Sequence, residues 1–129
     1  MRVVLDTNVL ISGLLNATGK PAEVLSLILA GRIVPLIDNR VLLEYEAVLR
    51  RPKFQFPGDA IVSVLEFFRQ AGEFVTPEPT AQRFTDTDDR KFYEVAISGA
   101  AEFLITGNTR HFPDDPIIVS PSEFLEHYD

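Results

Sequence analysis

The stretch Arg2-Val3-Val4-Leu5-Asp6 places aliphatic side chains at successive positions rather than alternate ones. Successive residues of a strand point to opposite faces, so this segment must be covered on both sides, the condition of a central strand in a parallel sheet. The rest of the chain repeats the pattern. Short aliphatic segments over residues 33–37, 73–76, 102–106 and 117–119 alternate with stretches whose apolar residues recur at helical spacing. Strands separated by helices imply right-handed crossovers, and hence an α/β chain with helices on both faces of a parallel sheet. A length of 129 residues with 46% hydrophobic content suits one domain, residues 1–129, with a real core.

The helices are marked by their ends. A short one is expected over residues 8–15. A stronger one begins at Lys20-Pro21, with proline suited to the first turn and Gly31 positioned as the stop. Asp38 or Asn39 can cap the next, in which Val41, Leu42, Tyr45, Val48 and Leu49 form one apolar stripe before Pro52. Further helices are predicted over residues 58–71 and 89–98, and a last one from Ser122. Only residues 77–87 read as long and loosely specified.

Several functions are excluded or disfavoured. No apolar run approaches the roughly 18 residues that span a bilayer, and Met1 leads straight into a strand-like segment, so a cytoplasmic protein without a membrane partner is expected. With no cysteine, disulfides, thiolate metal sites and cysteine nucleophiles are all ruled out, and any metal must be held by oxygen or by His111 and His127. A net charge of -7 argues against a general polyanion-binding surface. It leaves room for an acidic cluster whose bound cations reverse the local field.

Three groups of acids are candidates. Asp6 ends the first strand, where ligand sites form in open parallel sheets, and Thr106, Gly107 and Asn108 stand in the equivalent position after Phe103-Leu104-Ile105. Asp6 also stands where an N-cap would. Within Asp86-Thr87-Asp88-Asp89, Asp88 fits a helix cap, whereas Asp89 projects near Phe92 and Ala96 and so toward the packed face, where a charge needs a partner. In Leu43-Glu44-Tyr45-Glu46 the two glutamates flank the apolar stripe about equally, and periodicity does not choose between them. Arg50, Arg51 and Lys53 form the densest basic group, placed to complement a helix C-terminus.

The stretches Val3-Val4-Leu5-Asp6-Thr7-Asn8-Val9-Leu10, Leu42-Leu43-Glu44-Tyr45 with Leu49-Arg50-Arg51-Pro52-Lys53-Phe54, Asp86 through Phe92, and Leu104 through Pro113 together resemble the PIN-domain family. The resemblance spans essentially the whole chain in the expected order. It points to the branch described as toxin components of toxin-antitoxin systems, the VapC-like ribonucleases. It implies a three-layer α/β/α sandwich around a five-stranded parallel sheet ordered 3-2-1-4-5, with the first and fourth strands adjacent. It selects Glu44 over Glu46 and Asp89 within its cluster, so that Asp6, Glu44 and Asp89 become the catalytic and metal-binding acids. Thr7, Asn8 and Thr106 would hold those carboxylates in place. One departure stands out: where many PIN nucleases carry a fourth acid after the fourth strand, this chain offers Asn108 and His111. Asn108 can still give a neutral carbonyl oxygen to a metal, but a second ion is less secure.

The implied activity is metal-dependent endoribonuclease cleavage of single-stranded or structured RNA, with Mg²⁺ or Mn²⁺ on hard carboxylate oxygens. Arg110 and His111 are the expected substrate contacts. The resemblance also implies a homodimer and a cognate antitoxin protein. A noncatalytic binding protein on the same fold is the alternative, supported by the missing fourth acid. A phosphatase using Asp6 as nucleophile is disfavoured, since haloacid-dehalogenase-type enzymes usually carry a second aspartate where Asn8 stands.

Overall fold

The computed structural model describes residues 1–84 and 86–128. Its strands are β1 (Arg2–Leu5), β2 (Val34–Ile37), β3 (Glu73–Phe74), β4 (Phe103–Ile105) and β5 (Ile118–Val119). Its helices are α1 (Thr7–Leu15), α2 (Lys20–Leu29), α3 (Asn39–Leu49), α4 (Gly58–Ala71), α5 (Arg90–Ser98) and α6 (Pro121–Tyr128). All strand pairs are parallel, in the order β3-β2-β1-β4-β5. Val3, Val4 and Leu5 are each wholly buried, so both faces of the central strand are covered and the molecule is a three-layer α/β/α sandwich. Helices α1, α2 and α6 pack together, as do α3, α4 and α5.

Local chemistry explains most boundaries. Gly31, at φ 74°, closes α2 with its amide on Ile28 and the Arg32 amide on Leu27, the paired bonds that satisfy the last helical carbonyls. Asp38 caps α3 by accepting from the Val41 amide at 2.8 Å. The edge strand β3 is shorter than its apolar run, and both its residues are exposed; the Pro77 break follows. Asp88 is not the cap expected of it: Asp86 accepts from the Asp88 amide, and Thr87–Asp89 form a 3-10 turn ahead of α5. Thr85, in the loosely specified stretch, lies outside the described residues. Elsewhere in that stretch, the Glu78 and Thr80 amides bond to Ser98 and Glu94 on α5.

The packing that matters most for function is Tyr45. Its ring is fully buried edge-on against Phe68, and its hydroxyl donates to the Leu5 carbonyl at 2.6 Å. A bond of that kind contributes about 1 kcal/mol, and leaving the buried carbonyl without it would cost more. It fixes α3 against the carboxyl end of β1, with Glu44 one residue away.

Candidate functional site

The register Leu5↔Ile105 brings Asp6 beside Thr106 at the carboxyl ends of β1 and β4. The Asp6 amide donates to the Ile105 carbonyl at 2.9 Å, and the Thr106 hydroxyl donates to Asp6 Oδ2 at 2.7 Å. Thr106 is itself held by the Asn108 amide, which donates to its hydroxyl at 3.0 Å. Asp6 occupies the N-cap position of α1 but its side chain makes no capping hydrogen bond. The carboxylate is aligned by the neighbouring strand instead.

Glu44 reaches this rim from α3. One carboxylate oxygen accepts from the Thr7 hydroxyl, and the other lies 2.7 Å from Lys91 Nζ. Glu46, on the other flank of the helix, pairs with Arg50 at the surface. Asp89 completes the group from the turn before α5. Its Oδ2 is buried without a hydrogen-bond partner, and the only imidazole near it, His111 Nδ1, is 3.6 Å away. Asp6, Glu44 and Asp89 line one cavity of about 640 Å³, together with Thr7, Asn8, Ser12, Asp86, Asp88, Arg51 and Phe54.

The electrostatics of this cavity are unfavourable as it stands. The Asp6 carboxyl is pushed up to about 6, chiefly by burial and then by the charges of Asp89 and Glu44, against the lowering pull of the Thr106 hydrogen bond. Asp89 is raised by burial and then by the charge of Asp86, against the opposing pull of His111. Lys91 is the one cation within ion-pair distance of Glu44 among the described residues.

A divalent cation suits this chemistry. The donors are hard carboxylate oxygens, and the unpartnered Asp89 Oδ2 is an acceptor without a donor. Among the described residues, however, no three carboxylates or imidazoles already converge as a metal-binding group. Glu44 is engaged by Lys91 and Thr7, whereas Asp89 Oδ2 has no hydrogen-bond partner.

Other expected residues lie further out. Asn8 accepts from the Gly107 amide at 3.2 Å and so ties the two strand-end loops together. Asn108 is exposed and does not line the cavity, contributing instead through its backbone. Arg110 lines a separate concavity with Asp114, Asp115 and Glu123, whereas Arg51 lines the cavity of the acids. Lys91 carried no sequence signal of its own, and Arg51 stands out in the sequence only within the basic group of residues 50–53. Lys91 lies three residues past Asp88, whose carbonyl accepts from its Nζ, and its reach to Glu44 depends on how α3 and α5 cross. Arg51 looked like a charge at a helix end. No helix of the described residues is long and apolar enough to cross a membrane.

Comparison with known proteins agrees with this architecture. The family model described as PIN domain matches residues 2–110, a span that contains Asp6, Glu44, Asp89 and Asn108. An uncharacterized protein of Methanocaldococcus jannaschii is 29% identical over 144 aligned positions, covering 100% of this chain and 92% of the relative.

Proposed function

The chain belongs to the PIN domain family, whose domains are typically nucleases, and on that footing we propose that it is a divalent-metal-dependent endoribonuclease. One observation carries the reading. Carboxylates from β1, α3 and the turn before α5 share a cavity in which Asp6 is pushed up to about 6 and an Asp89 oxygen has no hydrogen-bond partner. A bound cation would relieve both features at once. When bound, Mg²⁺ or Mn²⁺ would offset charge on the phosphate oxygens and make a water-derived nucleophile available at neutral pH.

The chain's own residues have distinct parts. Asp6 and Asp89 hold the ion, with Thr106 keeping the Asp6 carboxylate at its angle. Glu44 completes the ligand set or orients water. Thr7 steadies Glu44, Asn8 binds the two loops to each other, and His111 stands where substrate would pass Asp89. Following the motif resemblance, we extend the reading to a cytoplasmic, homodimeric toxin component, formed of this single domain and held inactive by a cognate antitoxin. A gene for such an antitoxin beside this one is the expected sign.

The test is cleavage of mixed RNA substrates with Mn²⁺ and with chelator. Metal-stimulated cleavage that disappears in Asp89→Asn is the expected result. A second reading, a noncatalytic binding protein, is favoured by the Lys91–Glu44 pair at 2.7 Å, which already neutralises one acid. Failure of metal to stimulate cleavage of any RNA would leave that reading standing.

A further inference from the structure

The turn between α3 and α4 supplies what an acidic cavity lacks for holding a polyanion. Arg50, Arg51 and Lys53 are three of the 12 lysines and arginines in a chain of net charge -7. They do not act alike. Arg50 is paired with Glu46 at 3.1 Å, but Arg51 has no ion pair among the described residues and lines the cavity of Asp6, Glu44 and Asp89. Complementing the α3 dipole accounts for positive charge here, not for an exposed guanidinium without an ion pair among the described residues on the rim of the cavity that the acids line.

Beside Arg51 the same cavity is lined by Phe54, a half-buried ring. It stacks on Phe56 with centroids 5.9 Å apart and planes at 29°, and Lys53 Nζ stands 5.1 Å from its centroid. Gln55, between the two rings, takes the left-handed conformation at φ 56°, with its amide on the Pro52 carbonyl at 3.2 Å. A non-glycine residue held there costs backbone energy, and the turn that results presents both rings together. A guanidinium beside a partly open aromatic ring is the pairing that grips single-stranded nucleic acid, where phosphate meets the cation and an unpaired base stacks on the ring.

We propose that Arg51 and Phe54 form a subsite for one nucleotide unit of single-stranded RNA next to the scissile bond, Arg51 taking its phosphate and Phe54 its base. The inference rests on the nuclease reading above and places the recognition of an unpaired nucleotide at named residues, since a base inside a duplex cannot reach the ring. It moves the substrate path from Arg110 to the α3–α4 turn.

The experiment is steady-state cleavage of a single-stranded oligoribonucleotide and of a matching duplex with Mn²⁺, using wild type, Arg51→Gln, Phe54→Leu, Phe54→Trp and the control Arg50→Gln. Melting curves confirm that each variant is folded. Arg51→Gln and Phe54→Leu should each raise KM for the single strand about tenfold with kcat little changed. Phe54→Trp should restore it, and Arg50→Gln should leave it alone. Arg51→Gln should also reduce the slope of log affinity against log salt by about 0.7, the share of one phosphate contact on a single strand. Unchanged KM in folded Arg51→Gln and Phe54→Leu, with wild type cleaving normally, would overturn the subsite and leave the nuclease reading intact. So would a loss confined to kcat. A wild type that neither binds nor cleaves any oligoribonucleotide would overturn the nuclease reading itself, and the subsite with it.

Discussion

Two acid clusters lie at the carboxyl ends of neighbouring strands, and only one is satisfied. After β2, Asp38 caps α3 and accepts from Arg40 Nε at 2.9 Å. Arg40 reaches on to Glu94 at 2.7 Å, and the second Glu94 oxygen accepts from the Thr80 amide at 2.9 Å. Burial would raise the Glu94 carboxyl, but the Arg40 and Thr80 hydrogen bonds outweigh it and hold the group below its ordinary range. After β1, Asp6 has a hydroxyl for a partner and two acids for company, and it is raised instead. Both residues are 5% exposed, yet Asp6 lies deeper among protein atoms, so heavier burial and the lack of a cationic partner together set its shift against that of Glu94. The cluster around Arg40 is satisfied by its own cation and amide, while the cluster around Asp6 leaves a carboxylate oxygen of Asp89 without a donor, and that contrast separates a structural network from a candidate site.

The largest expected effect tests this separation directly. Asp6→Asn should reduce cleavage by about a thousandfold or more while leaving the fold intact, because it removes charge from a place where charge is disfavoured. Glu94→Ala should leave the activity of folded molecules within a few-fold of wild type. Similar losses of activity in both variants would break the contrast.

The pH dependence comes next. With a folded-state value of about 6 against 3.8, Asp6 contributes stability that is fully present below pH 3.8 and lost as pH rises through about 6. The change is on the order of 3 kcal/mol at about 1.4 per unit. Without added metal, Asp6→Asn should therefore match wild type near pH 4 and exceed it at pH 7.5 in denaturant unfolding. A variant no more stable than wild type at pH 7.5 would show that the carboxylate is not under electrostatic strain.

Glu94→Ala should cost about 2 kcal/mol in the same assay, a value moderated by the partial exposure of Arg40, which can turn to solvent. A smaller effect is expected at Lys91. Lys91→Met removes the cation held by Glu44, so without metal the protein should lose about 1 kcal/mol or less, and the rise in melting temperature on adding Mn²⁺ should exceed that of wild type. An unchanged metal response would mean that Lys91 does not compete for Glu44.

The sequence disclosed the fold more readily than the site. The strands and helices themselves follow from aliphatic runs such as Val3-Val4-Leu5 and from helix punctuation such as Lys20-Pro21 and Gly31, all local signals, whereas strand order and the adjacency of Asp6 and Thr106 came only with the family resemblance. Asp89 was legible through its helical phase together with the family resemblance, although it stands in the 3-10 turn just ahead of α5 and not in the helix itself. Glu44 and Glu46 were not separable by phase; the hydroxyl of Tyr45 on the Leu5 carbonyl, a contact across the fold, fixes which flank of α3 meets β1. The Arg40–Glu94 network spans 54 positions and left no pattern to read. Arg110 follows Asn108 closely in sequence but opens onto a different concavity, because the 3-10 turn Thr109–His111 carries it away from the cavity.

The most direct test is calorimetric titration of Mn²⁺ into wild type, Asp6→Ala and Glu94→Gln at pH 7.5. Binding to wild type and to Glu94→Gln, with none to Asp6→Ala, is the predicted result. Wild type that takes up no metal, or Asp6→Ala that binds as well as wild type, would contradict the assignment of the unsatisfied cluster as a metal site.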